Sequence, residues 1–423
     1  MRATDYLMVL PVEHFRVSRR LVAVEGAFAE HLRMMRSRMG EDVSRLIVAS
    51  PAMGEEAYRG KAQMMSVIDE ETEKISFCTL LSENKTRSLN GKIRHFFPVM
   101  RRIYALTQRS FCVHSGLSWN ICLPFEFASI LCGIILRRRT VFVVDIDYRN
   151  SAKMSYRVGD WSWKNYAMCR YVYDTGRSIQ LRIAARYCTV VLLKGKKMAA
   201  DFASGRSNVK YILDASHSEE NLIDDSSLQS KLCELGDSSR PLRLTYFGRL
   251  TAYKGVDRCI QAVAMAKKAG ANVQLDIIGS GEQLDSLRRL STEYDADSFV
   301  RFLGGRPFNQ QFFCFLYQYH LLLAAPLRED TPRSALDAMA AGVPYLAFDT
   351  YYYRELLESG AGLTVAWLDV EAMAQAIVKL SRNRQQLMSM VEHSVEYARA
   401  NTQEIWLERR LAWILPSKTS TIA

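Results

Sequence analysis

Residues 321–344 read LLLAAPLREDTPRSALDAMAAGVP, and this stretch joins a short apolar run to the start of a helix. Thr331 is a suitable N-cap and Pro332 a suitable first helical residue. Backbone N–H groups at such a helix start point outward and stabilise an anion. Those expected to face a ligand belong to Arg333, Ser334 and Ala335. The stretch therefore predicts a strand–turn–helix unit with an anion site at the carboxyl edge of a parallel sheet.

Two carboxylates flank the predicted helix start. Glu329 lies just before the helix and Asp337 lies about one and a half turns inside it. Carboxylate oxygens accept hydrogen bonds from hydroxyl groups, while a helix N-terminus favours phosphate. The pattern suggests a ligand that carries both hydroxyls and phosphate, such as a nucleotide linked to a sugar.

Apolar runs of strand length alternate with helix-length segments on both sides of this stretch, a pattern typical of parallel α/β sheets. The predicted strands of the first half are residues 6–12, 46–49, 75–80, 111–114, 140–146 and 189–193. Those of the second half are residues 242–247, 273–278, 299–303, 321–325, 345–348 and 363–365. The predicted fold class is α/β, with two Rossmann-like, doubly wound parallel-sheet domains that face each other across a cleft.

The length of 423 residues fits two such domains of about 200 residues each. We predict an N-terminal domain over residues 1–215, a polar linker region over 216–240 and a C-terminal domain over 241–400. A last helix over 401–416 has an apolar face and is expected to pack back on the N-terminal domain. Neither half has a G-x-G-x-x-G motif after its first strand, so ordinary NAD binding is not supported.

Cations and glycines follow the first two strands of the C-terminal domain. The strand at 242–247 runs into Gly248-Arg249-Leu250 and then Lys254, and the next strand ends in a turn with Gly279 and Gly281. Ligands of open α/β sheets bind at the carboxyl ends of the strands, where these residues fall. Two cations there suit a diphosphate, and a glycine turn allows close approach to backbone N–H groups.

These motifs occur in one order from about residue 242 to 380, and the sequence there resembles the retaining glycosyltransferases of GT-B fold, in particular glycosyltransferase family 4 (glycosyl transferases group 1). By that resemblance Arg249 and Lys254 bind the donor diphosphate, Glu329 contacts the donor sugar and Asp337 binds the ribose. The glycine turns and the helix start at Thr331 would complete the nucleotide site.

The chain departs from this family at two positions. The family usually has Glu where this chain has Asp337, and it commonly has Gly-Phe where this chain has Asp330-Thr331. Asp is one methylene shorter than Glu, so its ribose contact is expected to be longer or water-mediated. A Gly allows close backbone approach that an Asp does not.

The candidates in the first half are His114, Asp145 and Asp147. His114 is either a catalytic residue at a strand end or a hydrogen-bonded core histidine. Asp145 is either a ligand of the donor sugar or a plain strand-end carboxylate. Asp145-Ile146-Asp147 also matches the Asp-x-Asp of metal-dependent glycosyltransferases, yet GT-B enzymes typically need no metal, so we expect metal-independent activity without a cofactor.

The resemblance implies a hexosyltransferase-like enzyme that uses a nucleotide-sugar donor and a glycan acceptor. A basic face on the N-terminal domain would suit a polyprenyl-diphosphate-linked glycan at the inner leaflet, and our hypothesis is a role in cell-surface polysaccharide biosynthesis. Two alternatives remain. One is another GT-B reaction, such as a sugar-nucleotide epimerase or a phosphorylase. The other is a non-catalytic protein that binds a sugar nucleotide as the scaffold of a polysaccharide assembly complex, which the departures at Asp330 and Asp337 keep open.

The cysteine content and the distribution of charge suggest where in the cell the protein is found. The nine cysteines have no paired metal spacing and suggest thiols of a reducing, cytoplasmic compartment. The net charge is +11, and residues 85–109 contain many Lys and Arg, interleaved with apolar residues, and no acid. Such a helix suits an anionic membrane surface at the inner leaflet, or it is a solvated helix face. No nucleic-acid-binding motif accompanies the charge, so nucleic acid is not an expected partner.

Overall fold

The computed structural model describes residues 4–41, 43–82, 94–118 and 124–415. The chain divides into two compact units. Unit 1 comprises the described residues within Met1–Asp145, Ala167–Ile212 and Leu407–Ala423. Unit 2 comprises Ile146–Tyr166 and Leu213–Trp406. The eight cysteines among the described residues are free thiols.

Strands and helices alternate along most of the chain. The strands are β1 Asp5–Val9, β2 Phe15–Arg16, β3 Leu21–Glu25, β4 Arg45–Ala52, β5 Met65–Asp69, β6 Ile75–Ser82, β7 Ser110–Gly116, β8 Arg139–Val144, β9 Val190–Lys194, β10 Val209–Ile212, β11 Leu242–Phe247, β12 Val273–Ile278, β13 Val300–Gly304, β14 Leu321–Ala324, β15 Tyr345–Phe348 and β16 Gly362–Val365. The helices of the first half are α1 Gly26–Arg38, α2 Glu55–Lys61, α3 Phe96–Arg109, α4 Phe125–Ile135, α5 Tyr148–Arg157, α6 Trp163–Met168, α7 Asp174–Tyr187 and α8 Lys196–Ala203. Those of the second half are α9 Asp225–Gly236, α10 Val256–Lys268, α11 Leu284–Glu293, α12 Gln310–Leu316, α13 Arg333–Ala340, α14 Tyr351–Leu356, α15 Val370–Arg382, α16 Arg384–Arg399 and α17 Gln403–Ile414.

Unit 1 is built on a seven-stranded parallel sheet in the order β10-β9-β8-β7-β1-β4-β6. Its strands are covered on both faces, so a strand such as β9 is apolar along nearly its whole length and buried throughout. A second, three-stranded antiparallel sheet has the order β2-β3-β5. The sequence patterns did not predict this small sheet, because β2 has only two residues and β3 lies between cationic segments.

Unit 2 is built on a six-stranded parallel sheet in the order β13-β12-β11-β14-β15-β16. The strand order reverses between β11 and β14, which are neighbours in the sheet and are its first and fourth strands in chain order. In open α/β sheets the crevice beside the carboxyl ends of those two strands is the usual ligand site. The structure therefore confirms the predicted α/β fold class, because each unit is built on a parallel sheet, as in the GT-B fold.

The predicted linker at 216–240 contains helix α9, which belongs to unit 2. Leu232 and Leu235 of this helix lie in the unit 2 core. The polar run that suggested a linker is a helix start, because Asp224 is the N-cap of α9 and accepts a hydrogen bond from the Ser227 amide at 2.9 Å. Residues 146–166, placed by the sequence in the N-terminal domain, also belong to unit 2.

The cationic residues of the first 40 positions are largely paired within unit 1. Arg16 contacts Glu70 at 2.8 Å, Arg20 contacts Asp69 at 3.1 Å, and Arg33 contacts Glu73 at 2.7 Å. These ion pairs reduce the positive field of that surface. Of the second cationic stretch, Lys85, Arg87 and Lys92 lie outside the described residues. Among those described, no helix is both long enough and apolar enough to cross a bilayer.

The last helix, α17, contributes to the core of unit 1. Leu407, Leu411 and Ile414 lie in the same buried cluster as Tyr6 and Val190 of the parallel sheet. The Arg139 side chain, at the start of β8, also donates a hydrogen bond to the Ile414 carbonyl at 2.8 Å. The C-terminal helix is therefore part of the hydrophobic core that holds unit 1 together.

We expect Leu411→Ala to lower the free energy of unfolding by about 2–4 kcal/mol, because it leaves a cavity beside the sheet. Urea unfolding followed by circular dichroism measures this change. Glu408→Ala on the same helix is the matched control, since the Glu408 side chain is 70% exposed and its ion pair with Arg38 spans 4.0 Å. Equal stabilities of the two variants would contradict a core role for α17.

Candidate functional site

The loops that follow β11 and β14 touch each other at the point where the strand order reverses. The Leu327 amide donates a hydrogen bond to the Tyr253 carbonyl at 2.8 Å. Gly255 has a φ of +65°, and a β-carbon there would lie 1.9 Å from the Ala325 carbonyl oxygen. Only glycine permits this contact, so Gly255 brings the residues after β11 against those after β14.

Three cations surround the ring of Tyr253. The Arg249 Nη2 donates a hydrogen bond to the Tyr253 hydroxyl at 3.1 Å. The Arg328 guanidinium lies 4.1 Å from the ring centroid and the Lys254 ammonium 5.3 Å from it. We call Arg249, Lys254 and Arg328 the cation cluster. Cations held close together by an aromatic ring form a site of positive potential that suits a diphosphate.

Asp330 partly neutralises this cluster, because its carboxylate forms an ion pair with Lys254. Both side chains are largely but not fully buried, with 22% and 18% of their surfaces exposed. An anionic ligand would have to share Lys254 with this carboxylate or displace it.

Glu329 lies beside the cluster in the chain and is buried, with 2% of its surface exposed. It accepts hydrogen bonds from the Asn150 side-chain amide at 3.0 Å and from the Tyr351 backbone amide at 3.2 Å. Burial raises the pKa of the Glu329 carboxyl, and the nearby negative charge of Asp147 acts in the same direction. The two hydrogen bonds oppose that rise because they stabilise the ionised form.

The glycine turn after β12 packs against the loop after β11. A β-carbon at Gly279 would lie 1.9 Å from the Gly248 carbonyl oxygen, and the Leu250 amide donates to the Ser280 carbonyl at 2.9 Å. Gly281 lies in the same turn and approaches the Leu250 backbone. These glycines therefore hold two loops of the site together by close backbone packing.

Helix α13 begins one residue later than the sequence suggests. Its N-cap is Pro332, whose side chain makes no capping hydrogen bond, and Thr331 accepts a hydrogen bond through its carbonyl from the Arg333 amide at 2.8 Å. The Arg333 side chain pairs with Asp214. Ser334 and Ala335 form the first turn as predicted, and their binding to an anion stays a prediction.

The part of the chain that contains this site is similar to a known protein family. Residues 234–400 match the family model described as glycosyl transferases group 1. These residues form a glycosyl transferases group 1 domain. The match spans β11 to β16 and α10 to α16, and therefore includes the cation cluster, Glu329 and Asp337.

Two relatives match parts of the chain. The GtfA subunit of a UDP-N-acetylglucosamine–peptide N-acetylglucosaminyltransferase from Streptococcus gordonii is 28% identical over 182 residues, which is 40% of this chain and 35% of that protein. The amylovoran biosynthesis glycosyltransferase AmsK of Erwinia amylovora is 26% identical over 162 residues, 36% of this chain and 39% of that protein. The chain thus spans well under two thirds of these relatives.

Similarity to a solved structure covers almost the whole chain. HepE from Anabaena, crystallised in complex with UDP, superposes with a TM-score of 0.65 over 96% of this chain and 98% of that protein, at 16% identity. At this identity the likeness concerns the fold alone, and the fold is GT-B.

Asp337 of the group 1 domain is engaged by backbone amides. It is 2% exposed, and its Oδ1 accepts hydrogen bonds from the amides of Ser216 and His217 at 2.9 and 3.0 Å. His217 in turn lies 3.1 Å from the Ala398 carbonyl through its Nε2. In this structure Asp337 ties the segment before α9 to α13, and its predicted ribose contact stays a prediction.

The first-half candidates have separate partners. In unit 1, His114 lies within β7 with its Nδ1 2.8 Å from the Tyr6 hydroxyl, and burial lowers the His114 pKa to about 3. This favours the core-histidine interpretation. Asp145 is 78% exposed and lies 3.6 Å from Lys194. Asp147, in unit 2, is buried and pairs with Arg149 at 2.5 Å.

Asp145 and Asp147 therefore have different partners and different exposure. Among the described residues, no group of three or more His, Cys, Asp or Glu side chains is placed to hold a metal ion. Metal-independent activity stays a prediction.

Sequence reasoning missed three residues of this site. Arg328 precedes Glu329 directly, and the argument used for Arg249, a cation at the carboxyl end of a parallel strand, applies to it equally. Tyr253 shows no such signal, because an aromatic residue beside a lysine is common. Asn150 lies 179 residues before Glu329, and only the folded chain brings the two together.

We expect Asp330→Asn to tighten the binding of nucleoside diphosphates by about fivefold. The substitution frees Lys254 from an ion pair that, between partly exposed groups, contributes up to about 1 kcal/mol. Isothermal titration calorimetry with UDP, GDP and ADP measures the change. Asp257→Asn, which removes a carboxylate 3.5 Å from Arg258 on α10, is the control. Weaker binding by Asp330→Asn would contradict the competition between Asp330 and the ligand.

Proposed function

We propose that this chain transfers a sugar from a nucleotide diphosphate donor to a glycan or lipid-linked glycan acceptor in cell-surface polysaccharide biosynthesis. The observation that carries the proposal is the cation cluster beside the buried Glu329, at the strand-order reversal of a glycosyl transferases group 1 domain. Both GtfA, a subunit of an N-acetylglucosaminyltransferase that acts on peptide, and AmsK, a glycosyltransferase of amylovoran biosynthesis, support sugar transfer, and AmsK supports a role in polysaccharide biosynthesis.

Cleavage of a sugar–phosphate bond leaves negative charge on the departing diphosphate and positive character on the sugar carbon. Arg249, Lys254 and Arg328 would stabilise the diphosphate, which is the task that a divalent metal has in other enzymes. We therefore propose metal-independent transfer. The ionised Glu329 would accept hydrogen bonds from donor-sugar hydroxyls. Retention of configuration follows from the family resemblance alone.

We expect Arg249→Ala and Lys254→Ala each to lower donor turnover at least about 100-fold, because removal of one preorganised charge from such a site typically has that effect. A panel of nucleotide sugars, assayed by thermal shift and by donor hydrolysis with and without EDTA, first identifies the donor. Arg289→Ala is the control, since Arg289 is exposed on α11.

Three results of the panel would change the proposal. Near-normal turnover in both variants would contradict the site assignment. Selective donor binding without turnover, tested with candidate acceptors, would instead assign a non-catalytic scaffold. Loss of activity in EDTA would contradict metal independence and direct attention to Asp145 and Asp147.

We also propose that helix α3 of unit 1 contacts an anionic membrane surface, where a polyprenyl-diphosphate-linked acceptor would reside. Val99 and Ile103 pack inward, whereas Phe97 and Tyr104 are 79% and 42% exposed. Arg101 is exposed and lies between them on the same helical stripe, at spacings of four and three residues. Exposed aromatic rings beside arginine are the composition of interfacial helices.

We expect the protein to float with vesicles that contain anionic phospholipid at physiological salt, and Arg101→Glu to weaken this binding at least about fivefold. The reason is that each cation near an anionic surface contributes about 1 kcal/mol. Phe97→Ser is expected to weaken binding too. Met265→Ser, at an exposed apolar residue of unit 2, is the control. Absence of flotation of the wild-type protein would contradict the membrane proposal and leave the donor site unaffected.

A further inference from the structure

A segment from the first half of the sequence lies against Glu329. Residues 146–166 belong to unit 2, and α5 begins there with Asp147 as its N-cap. The Asp147 amide donates a hydrogen bond to the Tyr352 hydroxyl at 2.6 Å. Tyr352 is buried on α14, so this bond fixes the first turn of α5 beside the first turn of α14.

Asn150, in the first turn of α5, reaches the carboxylate directly. Its Nδ2 donates a hydrogen bond to Glu329 Oε1 at 3.0 Å. The Tyr351 amide, in the first turn of α14, donates to both carboxylate oxygens, at 3.2 Å to Oε2 and at 3.4 Å to Oε1. The carboxylate is therefore held by donors from two different helices, which sets the orientation of its plane.

The chemistry of Asn suits this position. A Lys or Arg would neutralise Glu329, whereas a neutral amide orients the carboxylate and leaves its negative charge in place. Each carboxylate oxygen has about two acceptor sites. Oε1 accepts from both Asn150 and Tyr351, whereas Oε2 accepts from the Tyr351 amide and keeps capacity for a sugar hydroxyl. A buried carboxylate without its donors would be costly to keep ionised.

We propose that Asn150 is a positioning residue that holds Glu329 in the orientation in which it binds the donor sugar. The inference rests on the proposed function, because it assumes that Glu329 accepts hydrogen bonds from that sugar. Asn150 acts through Glu329, and its role is therefore separable from binding of the diphosphate by the cation cluster.

The charged groups around Glu329 set the direction of the pH effect. The negative charge of Asp147, the N-cap of α5, raises the pKa of Glu329, and the positive charge of Arg354 on α14 lowers it. The Asn150 hydrogen bond also lowers it, so its removal moves the Glu329 pKa upward. Because the ionised form binds the sugar, activity is lost as pH falls through that pKa. The acid limb of the kcat/KM profile should therefore move to higher pH in Asn150→Ala.

The test compares two ligands by isothermal titration calorimetry. One is the nucleotide sugar selected by the donor panel, and the other is its nucleoside diphosphate without the sugar. We expect Asn150→Ala to weaken binding of the nucleotide sugar by about tenfold, the typical value of a hydrogen bond to a charged group, and to leave binding of the diphosphate unchanged within about twofold.

Two further variants sharpen the comparison. Asn150→Asp puts a second carboxylate against Glu329 and should weaken sugar binding more than Asn150→Ala does, because like charges repel. Asn150→Gln keeps the amide on a longer side chain and should restore part of the affinity. Asn165→Ala, at an exposed Asn of the same segment, is the matched control and should change neither ligand.

The outcomes distinguish the two proposals. Unchanged sugar binding in both Asn150→Ala and Asn150→Asp overturns the positioning role, as does an equal loss for both ligands, which indicates a structural role only. Failure of the wild-type protein to bind any nucleotide sugar overturns the proposed function itself.

Discussion

The close contact between Gly255 and the Ala325 carbonyl is the constraint on which the candidate site depends. It occurs where the strand order of unit 2 reverses, so the loops after β11 and β14 come from neighbouring strands and meet. The hydrogen bond from Leu327 to Tyr253 reinforces the contact. These contacts hold together the two loops that carry the cation cluster and Glu329, and electrostatic stabilisation of a ligand requires charges held in this way.

The site combines three positively charged side chains with one carboxylate that partly neutralises them. Arg249, Lys254 and Arg328 share one tyrosine ring, which places like charges close together, and the Asp330 carboxylate offsets part of their repulsion. Under the proposed function, a bound diphosphate would take over that task. The departure from the common Gly-Phe of the family thus has a physical role in this chain, as the counter-ion of the cation that is expected to bind phosphate.

Much of the fold follows from local patterns. The strands β11, β12 and β15 coincide with the predicted ranges, because a buried parallel strand is a short apolar run bounded by polar residues. The sequence patterns failed to predict elements that are very short or whose residues are also typical of loops. The two-residue β2 has no periodicity, and the Ser- and Asp-rich run at 224–227 resembles a loop although Asp224 caps a helix.

The sequence by itself determined that Arg249, Lys254, Glu329 and the start of α13 all follow strands of one sheet, and their binding of a donor stays a prediction. Parallel strands bring their carboxyl ends to a common edge, and neighbours in the chain then become neighbours in space. Only the tertiary structure decided that the Asn150 side chain donates a hydrogen bond to Glu329. It also decided that two backbone amides donate hydrogen bonds to the Asp337 carboxylate. These hydrogen bonds join residues more than 100 positions apart in the chain. The local periodicity of a sequence does not indicate which distant donor will bond to a buried carboxylate.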